Sequence, residues 1–259
     1  MNTPYIDIKN LSLRRNGKTI LHNLTWRMNK NEHWAVIGAN GSGKTTLLKI
    51  TGGNLFPTAG EVTVLGQLFG RTDLMTLRQR IGWVGPALLD RMPPHESLRD
   101  IVASGFKATY GRVYEISPAD TQRVEETLAK VGLQNRGDAA FGVLSQGEQQ
   151  RALFARSMLS SPELYILDEA CSGLDLPARE HFLGVVNQVM QTGDAGVIMV
   201  THHIEEIPSG ITHALVLHNG AVLAAGPVED TITGPVLSKA FGIPVEVERK
   251  DRRFWARMA

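Results

Sequence analysis

One cysteine, no long apolar run and almost no net charge set the first limits on this chain of 259 residues. Cys171 has no second thiol to pair with, so no internal disulfide holds the fold, and a reducing compartment is its natural setting. No stretch approaches the ~18 consecutive apolar residues of a membrane-spanning helix. The opening Met1-Asn2-Thr3-Pro4 has neither the basic nor the apolar region of a signal peptide. The chain is therefore expected neither to cross a membrane nor to be exported by such a signal. A formal net charge of +1 provides no overall basic field, so no nucleic-acid partner is expected. Internal repeats and low-complexity segments are absent as well, which leaves a globular architecture. What is present is 42% hydrophobic residues, enough for the core of one large domain or of one domain with a subdomain.

Against that background one segment stands out. Gly38-Ala39-Asn40-Gly41-Ser42-Gly43-Lys44-Thr45 is a complete G-x-x-x-x-G-K-[ST] pattern. It follows the apolar run Trp34-Ala35-Val36-Ile37 and precedes the helix-prone Thr46-Leu47-Leu48-Lys49. Strand, glycine loop and helix in that order form a phosphate cradle, because the glycines let successive N–H groups and a helix N-terminus point at one anion. Lys44 is expected to reach the β- and γ-phosphates, and the Thr45 hydroxyl to take a position on Mg²⁺. By itself the loop is compatible with a kinase, a GTPase, a helicase or a transport motor.

Two further segments narrow the choice. Leu164-Tyr165-Ile166-Leu167-Asp168-Glu169 has the length of a buried strand and ends in two carboxylates, which a parallel sheet would place in its ligand crevice. Asp168 is expected to bind Mg²⁺ directly or through water, and Glu169 to polarise an attacking water. Leu144-Ser145-Gln146-Gly147-Glu148-Gln149-Gln150-Arg151 lies where an irregular stretch turns helical, and Ser145 with Glu148 forms a capping-box pattern. A serine there can cap the helix and still donate its own proton to a phosphate oxygen.

Taken together, the chain resembles the ATP-binding subunit of the ABC (ATP-binding cassette) family over most of its length. Leu144-Ser145-Gln146-Gly147-Glu148 stands where the family has its Leu-Ser-Gly-Gly-Gln signature, Ser172-Gly173-Leu174-Asp175 resembles its D-loop, and Thr201-His202 its switch histidine. The resemblance implies an Mg-dependent ATPase that works as a pair. One protomer's residues 38–46 would close on a nucleotide with Ser145, Gln146, Gly147 and Glu148 of the other. Two departures accompany it. The family often has an adenine-stacking aromatic near Arg15, which either stacks its flat guanidinium or is a solvated loop charge. Pro86, in Ile81-Gly82-Trp83-Val84-Gly85-Pro86, stands where a metal-binding glutamine is usual, so water or a carbonyl would replace that oxygen.

The expected fold is α/β: a P-loop NTPase core with an antiparallel β subdomain (1–85 and 160–230), an inserted helical subdomain carrying the signature (86–159), and an extension (231–259). Helices are expected over 96–104, 118–132 and 178–191, and a hairpin over 213–226 turning at Asn219-Gly220. The basic and aromatic tail, 235–259, reads as solvated or dimer-facing, with a resemblance in residues 242–247 to iron-chelate and vitamin B12 importers. The implied function is the ATPase of a transporter, an importer by that resemblance, working on permease subunits from the cytoplasmic face of a membrane. The alternative is a soluble ABC ATPase without a channel, such as one serving iron–sulfur assembly.

Overall fold

Alternation of apolar and polar residues builds β1 (Ile6–Arg15): Ile6 and Ile8 are buried, whereas Lys9 is exposed. A computed structural model describes residues 3–71, 73–111 and 116–259; Met1 and Asn2 of the opening segment lie outside the described residues, as do Thr72 and residues 112–115. β1 pairs antiparallel with β2 (Lys18–Met28) across the turn at Asn16-Gly17. β3 (His33–Ile37), buried at every position, then leads through the glycine loop into α1 (Lys44–Thr51). β4 (Ala59–Val64) returns to the free side of β1 and carries β5 (Gln67–Leu68). The result is a four-stranded antiparallel sheet of order β2-β1-β4-β5.

α2 (Leu74–Gln79), capped by Asp73, precedes β6 (Ile81–Val84) and α3 (Pro86–Leu89). Helical segments follow. α4 (Leu98–Ala103) starts at the Ser97 cap and ends sooner than 96–104 foresees, because the chain tightens into a 3₁₀ turn at Ser104–Lys107. α5 (Pro118–Lys130) is capped by Ser117 and stops at Gly132 (φ 70). α6 (Gln146–Leu159) carries the signature at its start.

The α/β pattern resumes with β7 (Leu164–Asp168), α7 (Leu176–Thr192), β8 (Gly196–Val200), β9 (His213–His218) and β10 (Ala221–Pro227). β9 and β10 form the expected hairpin at Asn219-Gly220. The second sheet has the order β10-β9-β3-β8-β7-β6 and is parallel except for edge strand β10. Successive residues of its central strands face opposite cores. Trp34, Val36, Ile166 and Ile198 pack with the antiparallel sheet, and Ala35, Ile37, Leu167 and Val197 pack with the helices.

The tail is largely solvated yet ordered. α8 (Val228–Thr231) and α9 (Gly234–Phe241) lead into a hairpin of β11 (Val245–Lys250) and β12 (Arg253–Met258) that folds back onto its own chain. Phe254 is buried in the helical core. The hairpin turns at Asp251 (φ 51) and Arg252 (φ 62), and with no glycine there no turn signal marks it in the sequence.

Candidate functional site

The order of the parallel sheet puts the sequence motifs at neighbouring strand ends. β3 opens into residues 38–45, β8 beside it into Thr201-His202, β7 into Asp168-Glu169, and β6 into Gly85-Pro86. This is the carboxyl edge, where ligands of such sheets bind.

A side chain at Gly38 (φ 153) would run into the Leu217 carbonyl and the Ser42 hydroxyl, so only glycine lets the loop curl here. Gly43 begins α1 with no side-chain cap, leaving the N–H groups of the first turn, Thr45 and Thr46 among them, open to an anion. Ser42 Oγ is buried without a hydrogen-bond partner. Lys44 is 5% exposed, and its Nζ donates to the Gly38 carbonyl at 2.7 Å and the Ala39 carbonyl at 3.1 Å. Burial pulls the ammonium below the usual lysine range, against the opposing pull of Glu169 and Asp168. An orphan hydroxyl, a dehydrated ammonium and an uncapped helix start therefore converge, and a phosphate chain satisfies all three.

Across the crevice Asp168 Oδ1 lies 3.5 Å from Thr45 Oγ1. Burial, and then the neighbouring Glu169 charge, raise the Asp168 pKa to about 6. Among the described residues no group of three or more His, Cys, Asp or Glu could hold a metal. Thr45 and Asp168 fit a hard cation that takes its other oxygens from phosphate and water, as Mg²⁺ does. Glu169 has left-handed backbone (φ 50), held by its N–H donating to the Val200 carbonyl at 3.0 Å. Its Oε1 is 3.5 Å from His202 Nδ1, which has no hydrogen-bond partner, and the His202 ring lies 4.2 Å from that of His203. Gly85 packs so tightly on Asp168 that a Cβ would strike the Asp168 backbone. Pro86 therefore starts α3 beside the acidic end of β7.

Ser145 caps α6 with a complete capping box: Ser145 N–H donates to Glu148 Oε2 at 2.8 Å and Glu148 N–H to Ser145 Oγ at 3.3 Å. Arg136 is 3.2 Å from the Glu148 carboxylate. Gln146 Nε2 donates to the Ser172 carbonyl at 3.2 Å, and its side chain covers Gly173; Gly147 packs on Ala178. Asp175 caps α7 by accepting from the Ala178 N–H at 2.9 Å. Signature and D-loop thus meet within one chain, whereas no hydrogen bond or ion pair joins 145–148 to 38–46 among the described residues.

The family model described as ABC transporter matches residues 21–172. The chain belongs to the ABC transporter ATP-binding family. As a member of it, the protein is an ATP-binding ATPase. YlmA of Bacillus subtilis, an uncharacterized ABC transporter ATP-binding protein, is 40% identical over 256 residues, 97% of each chain. The molybdenum import ATP-binding protein ModC of Shewanella oneidensis is 33% identical over 199 residues, 76% of this chain and 52% of that one. A dimeric ATP-binding cassette in a post-hydrolysis state, bound to ADP and Pi, has the same fold: TM-score 0.76 at 23% identity, covering 86% of this ABC ATPase and 98% of that chain.

Two residues from the sequence reading stand apart. Arg15 is exposed at the end of β1, its guanidinium free of hydrogen bonds and ion pairs among the described residues. Cys171 is buried two residues after Glu169, and burial pushes its thiol up out of the reactive range. Arg136 was not singled out by sequence reasoning. It lies outside every motif, and only the fold brings it to Glu148.

Proposed function

We propose that two copies of this ATPase close head to tail on two ATP molecules, and that the closure drives separate permease subunits, in the direction of import. The observation that carries this reading is the split site. Phosphate loop, Asp168, Glu169 and His202 share one sheet edge, whereas Ser145 to Glu148 sit at the start of α6 without a bond to them. The dimeric ADP-bound cassette supports pairing, and the import function named for ModC supports the direction.

In this reading Lys44, Thr46 and the loop N–H groups hold the β- and γ-phosphates, and Thr45 and Asp168 hold Mg²⁺. Bound there, the metal supplies charge neutralisation at the phosphate oxygens. Glu169 takes a proton from the attacking water, and His202 stabilises charge at the γ-phosphate from the Glu169 side. Ser145 of the second copy donates its hydroxyl to the same phosphate, with Gln146, Gly147 and Glu148 completing the lid and Asp175 setting its angle. Arg15 lies flat on the base. Residues 86–159 carry the movement to the permease, which holds the ATPase on the inner face of the membrane.

The test is Glu169→Gln in saturating Mg-ATP, where stalled hydrolysis keeps the sandwich closed. Light scattering should give a dimer with Mg-ATP and a monomer without nucleotide. A monomer in both conditions would refute the paired site.

A further inference from the structure

The C-terminal hairpin reaches the two segments that flank the reacting phosphate in this reading. Arg253, at the start of β12, is only 23% exposed and clamps three elements. Its Nη1 donates to Glu180 Oε2 at 2.5 Å and its Nη2 to Glu180 Oε1 at 3.2 Å, a two-point pairing of guanidinium and carboxylate. The same Nη2 donates to the Glu205 carbonyl at 2.6 Å. Glu180 lies on the second turn of α7, the helix whose cap is Asp175 of the D-loop. Glu205 lies in the 3₁₀ turn Ile204–Glu206, which begins two residues after His202.

That turn is stiffly connected back to the histidine. The Thr201 hydroxyl bonds the Glu206 carboxylate and accepts from the His203 N–H at 2.9 Å. Glu206 is buried, so the pair cannot be exchanged freely for water. His202 is therefore enclosed in a short loop whose far end is fixed by Arg253. Phe254 anchors the next position of β12 in the core, and Arg249 of β11 pairs with Glu229 of α8, so the guanidinium sits on a held hairpin. A clip meant only to dock the tail would need the Glu180 pairing alone. The bond to the Glu205 carbonyl adds a connection to the histidine loop.

We infer that Arg253 is a positioning residue for hydrolysis, tying the C-terminal hairpin to the D-loop helix and to the loop that carries His202. The inference rests on the role given to His202 under Proposed function. It acts on turnover and leaves nucleotide capture to residues 38–46.

Steady-state ATPase assays on Arg253→Ala, Arg253→Lys, His202→Ala and the exchange Glu180→Arg/Arg253→Glu test it, with binding of a fluorescent ATP analogue and hydrogen exchange over residues 201–207. Arg253→Ala should lower kcat about tenfold with KM and analogue affinity within about twofold, and should speed exchange in 201–207. Arg253→Lys, which keeps a donor for the carbonyl, should recover at least half of the lost turnover, and it serves as the reporter if the alanine variant does not fold. The exchange variant restores an ion pair between α7 and β12 but moves the donor off the hairpin, so β12 no longer bonds the Glu205 carbonyl and turnover should stay as slow as in Arg253→Ala. Wild-type kcat in Arg253→Ala, or full recovery in the exchange variant, overturns the inference. Unchanged turnover in His202→Ala would instead overturn the role of His202 itself.

Discussion

Lys44 and Asp168 show opposite responses to the same burial. The ammonium loses proton affinity and the carboxylate gains it, and each is relieved by what the other end of the site takes up. For Asp168 the sign is fixed: its folded pKa, about 6, lies above the unfolded 3.8, so this group favours the fold at acid pH and that contribution is lost as pH rises through the window from 4 to 6. In EDTA without nucleotide, Asp168→Asn should therefore melt a few degrees higher than wild type at pH 7.5, an order of about 2 kcal/mol, and no higher at pH 4. The same substitution should abolish Mg-dependent hydrolysis. Calorimetry at the two pH values, with an ATPase assay, checks both. Lys44→Ala should lose ATP binding by a hundredfold or more, measured by titration with a fluorescent analogue, because the orphan Ser42 hydroxyl and the helix start cannot replace the ammonium. Pro86 is different. Its ring supplies no oxygen, yet Mg²⁺ readily keeps water in its place, so Pro86→Gln should leave basal turnover within about threefold, roughly 0.7 kcal/mol of barrier. A hundredfold change would place residue 86 in the chemistry.

Among the elements, the start of α6 connects most parts of the site. Its capping box fixes Ser145, its first residue, Gln146, bonds the D-loop at the Ser172 carbonyl, and Arg136 holds the Glu148 carboxylate. Without Arg136, Glu148 would keep its capping-box bond to the Ser145 N–H but lose its ion pair, and in the proposed pairing its less compensated charge would face the second copy's nucleotide. Arg136→Ala should raise KM for ATP several-fold and weaken dimer formation by the Glu169→Gln protein, while free-monomer nucleotide affinity stays within about twofold. Gel filtration and a KM measurement separate the two effects. Much of this was legible beforehand: the phosphate loop, the capped starts at Ser117 and Ser145, the buried strand at Leu164 and the Asn219-Gly220 turn all carry local signals. Arg136, Gly85 and the β11–β12 hairpin carry none, because a surface arginine, an extended glycine and a turn at Asp251-Arg252 gain their meaning only from neighbours distant in sequence. The 235–259 segment is largely solvated, as its charge suggests, but composition cannot show that Arg253 and Arg249 reach back to Glu180 and Glu229 or that Phe254 is buried.

Across the whole molecule, no helix among the described residues is long and apolar enough to cross a membrane, and the proposed coupling is assigned to surfaces. The parallel sheet gives those surfaces a common backing. Alternate residues of β3, β7, β8 and β9 belong to two different hydrophobic cores, one shared with the antiparallel sheet and one shared with the helices and the tail. Neither the antiparallel sheet nor the helical segment has a core of its own, since each finishes its packing on one side of the same strands. Melting either side would strip one face of the central sheet and expose the other to collapse. Scanning calorimetry of the nucleotide-free protein should accordingly show a single endotherm with matching van't Hoff and calorimetric enthalpies, and the isolated fragment 86–159 should show none.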